Sequence, residues 1–189
     1  MNDASTLALV SRLSRDLDAE GIPHALTGSI AAGLHGEPII SIDVDIVVNM
    51  TPERARSLAR RWKDLQADEE SFRQAAESQS ITNVLDIHTG LKIDVSVLPD
   101  TPYYREVMKR RIRFDAGDRK ESFWVVTRED IILMKLWWRR ETRSEKQWAN
   151  ALSVVRVQGL KLDWAYLYKW AGELGIEEDL RELAREGGI

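Results

Sequence analysis

The chain has 189 residues, 43% of them hydrophobic and 31% charged, with a formal net charge of −4 and no cysteine. This length suits one domain, or a domain with a small appended helical bundle, and the apolar share supplies a core and excludes a disordered chain. The acid excess gives no global attraction for nucleic acid, the missing cysteines exclude disulfides and thiolate metal sites, and no apolar run reaches membrane-spanning length.

The N-terminus, Met1-Asn2-Asp3-Ala4, lacks the charged-then-apolar pattern of a signal segment, so a cytoplasmic protein that does not engage a membrane is expected. There is no internal repeat and no low-complexity stretch. Residues 4–20 read as a helix, with Leu7, Val10, Leu13 and Leu17 recurring on one face, and Gly21 and Pro23 end it. His24-Ala25-Leu26-Thr27 reads as a short strand. Gly28-Ser29 then opens a small-residue helix that His35-Gly36-Glu37-Pro38 breaks. A second strand, residues 42–48, alternates acid with apolar residues. Thr51-Pro52-Glu53 is a helix start, with Ala55, Leu58, Ala59, Trp62 and Leu65 facing inward. Residues 69–79 are polar and read as helix or loop.

Residues 83–98 read as a hairpin. A two-residue turn at Thr89-Gly90 would put Leu85 on the face of Asp94. A three-residue loop, His88-Thr89-Gly90, sets Asp86 beside Lys92 and Leu85 beside Ile93, and so separates polar from apolar. The second register is the one expected, with Lys92, Asp94 and Ser96 on one polar face. Thr101-Pro102 starts another helix reaching about Lys109. Ile112–Phe114 and Ser122–Val126 form a second hairpin around Asp115-Ala116-Gly117-Asp118. This order predicts an α+β fold, a mixed sheet backed by helices on one side.

From Thr127 the pattern is helical. Thr127 caps a helix whose stripe holds Ile131, Met134, Lys135 and Trp138. Further helices carry Trp148, Ala151, Leu152 and Val155, then Trp164, Leu167, Tyr168 and Ala171, then Ile176, Leu180 and Leu183. With no Pro/Gly-rich linker before them, the expected organisation is a domain of residues 1–126 with a helical subdomain of residues 127–189 packed on it. Trp137, Trp148, Trp164 and Trp170 read as packing residues. The run Lys109-Arg110-Arg111 with Arg113 reads as a solvated face or a nucleic-acid contact. His24, His35 and His88 have no mutual spacing that suggests a metal site or a triad.

Two pieces carry chemistry. A helix starting at Gly28-Ser29 points free N–H groups and its positive end at whatever lies ahead, which favours phosphate. Asp43 and Asp45, two apart on a strand, send both carboxylates to one face, and such a pair repels unless a cation lies between. Hard oxygen ligands with phosphate as co-ligand suit Mg²⁺. Each signal has an ordinary explanation, since turns supply Gly-Ser and solvated strands carry acids. The strand around Asp43 and Asp45 is otherwise Ile, Val, Ile, Val, Val, too apolar for a surface edge.

An apolar residue, Gly-Ser, then an acid-x-acid strand resembles the nucleotidyltransferase superfamily, the DNA polymerase beta-like fold. The resemblance covers roughly the N-terminal two thirds of the chain. It implies a third carboxylate on a neighbouring strand, which Asp94 supplies. The Lys92-x-Asp94 form is similar to that of nucleotidyltransferases of abortive-infection and toxin–antitoxin systems. The resemblance implies an enzyme that moves a nucleoside monophosphate from a nucleoside triphosphate to a hydroxyl of a tRNA, a protein or a small molecule and releases pyrophosphate. Asp43, Asp45 and Asp94 would be its catalytic residues and would hold two Mg²⁺ ions. Gly28, Ser29, Lys92, Lys135 and Arg139 would bind the nucleotide phosphates. An antitoxin-type partner chain is a further implication. Several relatives carry Arg-x-Thr-x before the first aspartate, whereas here Ile39-Ile40-Ser41-Ile42 stands there. That departure leaves open a catalytically degenerate protein that binds a nucleotide or a partner.

Overall fold

The computed structural model describes residues 4–115 and 121–189. Three residues of the expected turn, Ala116, Gly117 and Asp118, lie outside them. The described residues group into two compact units. One holds the chain up to Thr27 together with Ser41–Val125, the other Gly28–Ile40 with Val126–Ile189.

The first unit is built on one six-stranded mixed sheet. Its strands are β1 (His24–Thr27), β2 (Asp43–Val48), β3 (Ile81–Asp86), β4 (Leu91–Val97), β5 (Ile112–Asp115) and β6 (Ser122–Val125), in the spatial order β3-β4-β2-β1-β6-β5. Pairs β2–β4 and β1–β6 are parallel; β1–β2, β3–β4 and β5–β6 are antiparallel. Four helices complete the unit, α1 (Ala4–Ala19), α3 (Pro52–Arg61), α4 (Glu69–Ser78) and α5 (Pro102–Arg110). Helix α1 packs on β1 and β6, and α4 on β3 and β4.

The alternation of each strand places Leu26, Val44, Ile46, Ile93 and Val95 on one face, where all are buried. They meet Leu13 and Leu17 of α1, Leu58 of α3 and Phe72 of α4 in one apolar core. Trp62 lies at its centre, fully buried, edge-on to Phe72 at 6.1 Å, and donates from Nε1 to Asp16. Thr51, Asp68 and Thr101 cap α3, α4 and α5 through their side-chain oxygens, and prolines at the start of α3 and α5 accept the missing N–H without loss. The stretch 69–79, left between helix and loop by its composition, is helical because the Asp68 cap and the buried Phe72, Ala75 and Ala76 fix it.

The hairpin register differs from the expectation by one residue. Leu85 faces Lys92, Asn83 faces Asp94, and a four-residue loop joins the strands. The cause is Asp86. It is buried and accepts hydrogen bonds from the His88 N–H and the Thr89 hydroxyl, while Gly90 N–H closes the turn on its carbonyl. Burial alone would raise its carboxyl, but those two bonds outweigh it and hold the pKa below the ordinary value. Leu85 and Ile81 therefore stand exposed on the polar face.

The second unit holds α2 (Gly28–His35), α6 (Arg128–Thr142), α7 (Glu145–Gln158), α8 (Trp164–Leu174) and α9 (Glu177–Glu186). Helix α6 is its axis. Residues 129–136 are buried all round, and α2, α7, α8 and α9 all touch it. Its buried acid Asp130 accepts from the Thr127 hydroxyl and from Tyr166 of α8, each at 2.6 Å. No helix is long and apolar enough to cross a membrane among the described residues.

His24 is a buried structural histidine. Its Nδ1 donates to the Ile22 carbonyl, and its Nε2 shares a hydrogen bond with the Ser14 hydroxyl at 2.7 Å. Burial pushes its pKa below the ordinary 6.5, with the Ile22 bond opposing. His35 shifts the same way, first through burial. The unfolded chain then binds more protons just below that pH, so stability is full above it and falls as pH drops toward the folded pKa. Thermal unfolding followed by circular dichroism will show a midpoint that falls between about pH 7 and pH 5, with a shallower slope in His24→Gln.

Candidate active site

Parallel pairing brings the acids together. In the β2–β4 register Asp43 faces Lys92 and Asp45 faces Asp94, so all four side chains leave one face of the sheet. On the other side of β2, Asp45 faces Thr27. All three aspartates are half-buried, whereas their strand neighbours Val44 and Ile93 are fully buried. Adjacent strands lie about 4.8 Å apart, so Asp45 and Asp94 face each other within reach of one small cation.

Lys92 answers this charge. Its Nζ donates to Asp94 Oδ2 at 3.0 Å and lies 2.8 Å from Oδ1. Its pKa is raised, first by that hydrogen bond, then, against desolvation, by the charges of Asp94, Asp43 and Asp45. The ammonium thus sits in the field of all three carboxylates. The Lys92–Asp86 pair considered from sequence does not form, because Asp86 is occupied in its turn.

The Oδ1 of Asp94 is buried, and Lys92, though close, does not meet it at a hydrogen-bonding angle. This carboxylate, whose Oδ1 meets Lys92 as an ion pair and not as a hydrogen bond, fits a hard divalent cation together with the two further carboxylates on the same face. Among the described residues no group of three or more His, Cys, Asp or Glu side chains already converges as a cation cage. Cation binding here therefore requires Lys92 to give way and the carboxylates to turn inward.

The phosphate-binding candidates lie in the helical unit. Gly28 enters α2 with φ +68°, a left-handed conformation that suits glycine at the strand-to-helix turn. Ser29 is buried, and its Oγ accepts from Asn150 Nδ2 of α7 at 3.1 Å, which leaves its own O–H to donate. Asn150 was not legible as a partner, since 121 residues separate the two. Lys135 is 3% exposed, with Nζ 5.9 Å from the Trp138 ring centroid, consistent with its stem running past that ring. Arg139 is engaged elsewhere. It donates to Asp179 of α9 at 3.1 Å and stacks 4.6 Å over Trp148.

In the basic run near residue 110, Lys109 is exposed and two arginines lie on an aromatic ring. Arg111 and Arg113 both lie over the Trp124 ring, at 4.7 and 5.3 Å, and Arg113 pairs with Asp18. Burial lowers the Arg111 pKa. Trp148 and Trp170 are buried, as packing residues should be.

Replacing Lys92 removes the cation that competes for Asp94. Lys92→Met will bind Mn²⁺ about threefold more tightly than the parent in a calorimetric titration, the modest factor a half-exposed ion pair allows.

No protein-family profile and no curated protein sequence matches the chain. Solved structures do. An antigenic nucleotidyltransferase-like protein from Paracoccidioides brasiliensis superposes with a TM-score of 0.51 at 14% identity, over 95% of this chain and 92% of that one. The antibiotic-resistance factor ANT(2'')-Ia gives 0.51 at 10% identity, over 95% and 98%. A CCA-adding enzyme in complex with ATP is more distant, with a TM-score of 0.40 at 15% identity over 84% and 45%. The chain thus has the fold of nucleotidyltransferase-like proteins, with its three aspartates on one face of that fold's sheet.

Proposed function

We propose that the protein is a Mg²⁺-dependent nucleotidyltransferase that moves a nucleoside monophosphate from a nucleoside triphosphate to a hydroxyl acceptor. The observation that carries this reading is the register that aligns Asp45 with Asp94 and sets Asp43 on the same face, within the fold of nucleotidyltransferase-like proteins. Asp43, Asp45 and Asp94 would hold Mg²⁺. Bound there, the ions would offset charge on the triphosphate and lower the pKa of the acceptor hydroxyl.

The chain's own residues do the rest. Lys92 leaves Asp94 and places its ammonium against phosphate oxygens. Asp94, once Lys92 has left it, takes the acceptor's proton. The acceptor oxygen bonds to the α-phosphorus, the bond to the bridging oxygen breaks, and its electron pair leaves with pyrophosphate. In the helical unit, the Gly28 and Ser29 N–H groups and Lys135 are the candidate phosphate donors. Arg139 can join them only by releasing Asp179.

A second reading has an observation behind it. Lys92 closes Asp94, Arg139 is committed to Asp179, and Ile39 stands where relatives carry arginine. A catalytically degenerate protein that binds a nucleotide without turning it over would look the same. Calorimetry with each nucleoside triphosphate and Mg²⁺, paired with an assay of pyrophosphate release, separates the two. Labelled nucleotide incubated with cell lysate then identifies the acceptor, whether tRNA, protein or small molecule.

On the transferase reading Asp45→Ala lowers nucleotidyl transfer by about 10²–10⁴-fold while its circular dichroism and melting stay close to the parent's. Transfer at the parent rate in that variant rejects the mechanism.

A further inference from the structure

The two edges of the sheet are built differently. At one edge β5 carries Arg113 and Asp115, charged residues of the kind that blunt an edge against further pairing. At the other, β3 reads Ile81-Thr82-Asn83-Val84-Leu85-Asp86, and its exposed positions are Ile81, Asn83 and Leu85. Ile81 is 65% and Leu85 42% exposed, with no charge, proline or bulge among them.

The hydrogen-bond phase of that edge follows from one bond. Val97 N–H donates to the Ser80 carbonyl at 3.0 Å, in line with the β3–β4 register. Antiparallel residues alternate between bonding toward one neighbour and toward the other. Residues 80, 82, 84 and 86 thus bond toward β4, and Ile81, Asn83 and Leu85 turn their N–H and C=O groups outward. The residues with exposed side chains are the ones with outward backbone groups.

This edge is complementary to itself. About a two-fold axis through Asn83, an antiparallel second copy sets Ile81 against Leu85 of the other copy, Leu85 against its Ile81, and Asn83 against Asn83. Each outward residue then meets an outward residue, each apolar side chain an apolar one, and no charge is buried. We propose that β3 is a homodimer interface, pairing antiparallel with β3 of a second copy and centred on Asn83. The two sheets become one continuous sheet, and the axis, perpendicular to it, leaves the Asp94 faces of both copies on the same side. Such a dimer stands or falls independently of nucleotidyl transfer.

Sedimentation velocity across a wide concentration range tests it with three proteins, the parent, Ile81→Lys and Leu85→Glu. Both side chains are exposed, so both variants should fold, which melting curves verify. The parent is expected to dimerise reversibly. Each variant alone should weaken the dimer at least about tenfold, since a charge is set against an apolar partner. An equimolar mixture should dimerise more tightly than either variant. In the mixed dimer the introduced lysine of one copy faces the introduced glutamate of the other, while the remaining Leu85 faces the remaining Ile81. A parent that stays monomeric throughout, variants that dimerise like the parent, or a mixture no tighter than its components would each overturn the proposal.

Discussion

The parallel pairing of β2 with β4 is the constraint on which the site depends. Its register is held from the opposite face, where Val44 and Ile46 lie beside Ile93 and Val95, all essentially without solvent contact. A slip of β4 by one residue would turn Ile93 and Val95 to the polar side and Asp94 into the core. A slip of two would keep the faces but set Asp45 beside Lys92, or beside Ser96 with Asp43 then opposite Asp94. The apolar core thus keeps the aspartates on the polar face, where the observed register sets Asp45 opposite Asp94. The pairing that stabilises the sheet is also what concentrates the charge.

That charge has to be balanced, and Lys92 shows how the chain does so with no other cation at hand. The ammonium contacts Asp94 and feels Asp43 and Asp45, yet its side chain is about half exposed, at 49%. A pair with that much water around it contributes little to stability. It offsets part of the repulsion among the acids, and a divalent ion carries twice its charge.

Much of this was legible in the residues. The acid-x-acid alternation placed Asp43 and Asp45 on one face, and Lys92, Asp94 and Ser96 on another strand's polar face, before any coordinates. Caps at Thr51, Thr101 and Thr127 fixed helix starts because their chemistry is local. What failed was long-range or non-additive. The partnership of Ser29 with Asn150, and of Arg139 with Asp179, joins helices whose contact no periodicity reports. The grouping of Gly28–Ile40 with the last helices is likewise a property of packing. In α6 the expected stripe of Ile131, Met134, Lys135 and Trp138 is buried at its first three positions and half-buried at Trp138, and residues 129–136 are buried all round.

The hairpin between β3 and β4 shows why the register was misread. The expectation weighed the strands alone and sorted polar with polar. The turn weighed more. A four-residue loop lets Asp86 accept from both His88 and Thr89, and a buried carboxylate must find such donors. Satisfying that one group costs the exposure of Ile81 and Leu85, about the burial of two aliphatic side chains forgone. The trade is acceptable in a monomer because an exposed aliphatic residue loses far less than an unpaired buried charge. The same shift sets the neutral Asn83, not another acid or a lysine, opposite Asp94. So the turn residue that decides the hairpin also decides what flanks the third aspartate, and it leaves that side of the acidic face uncharged.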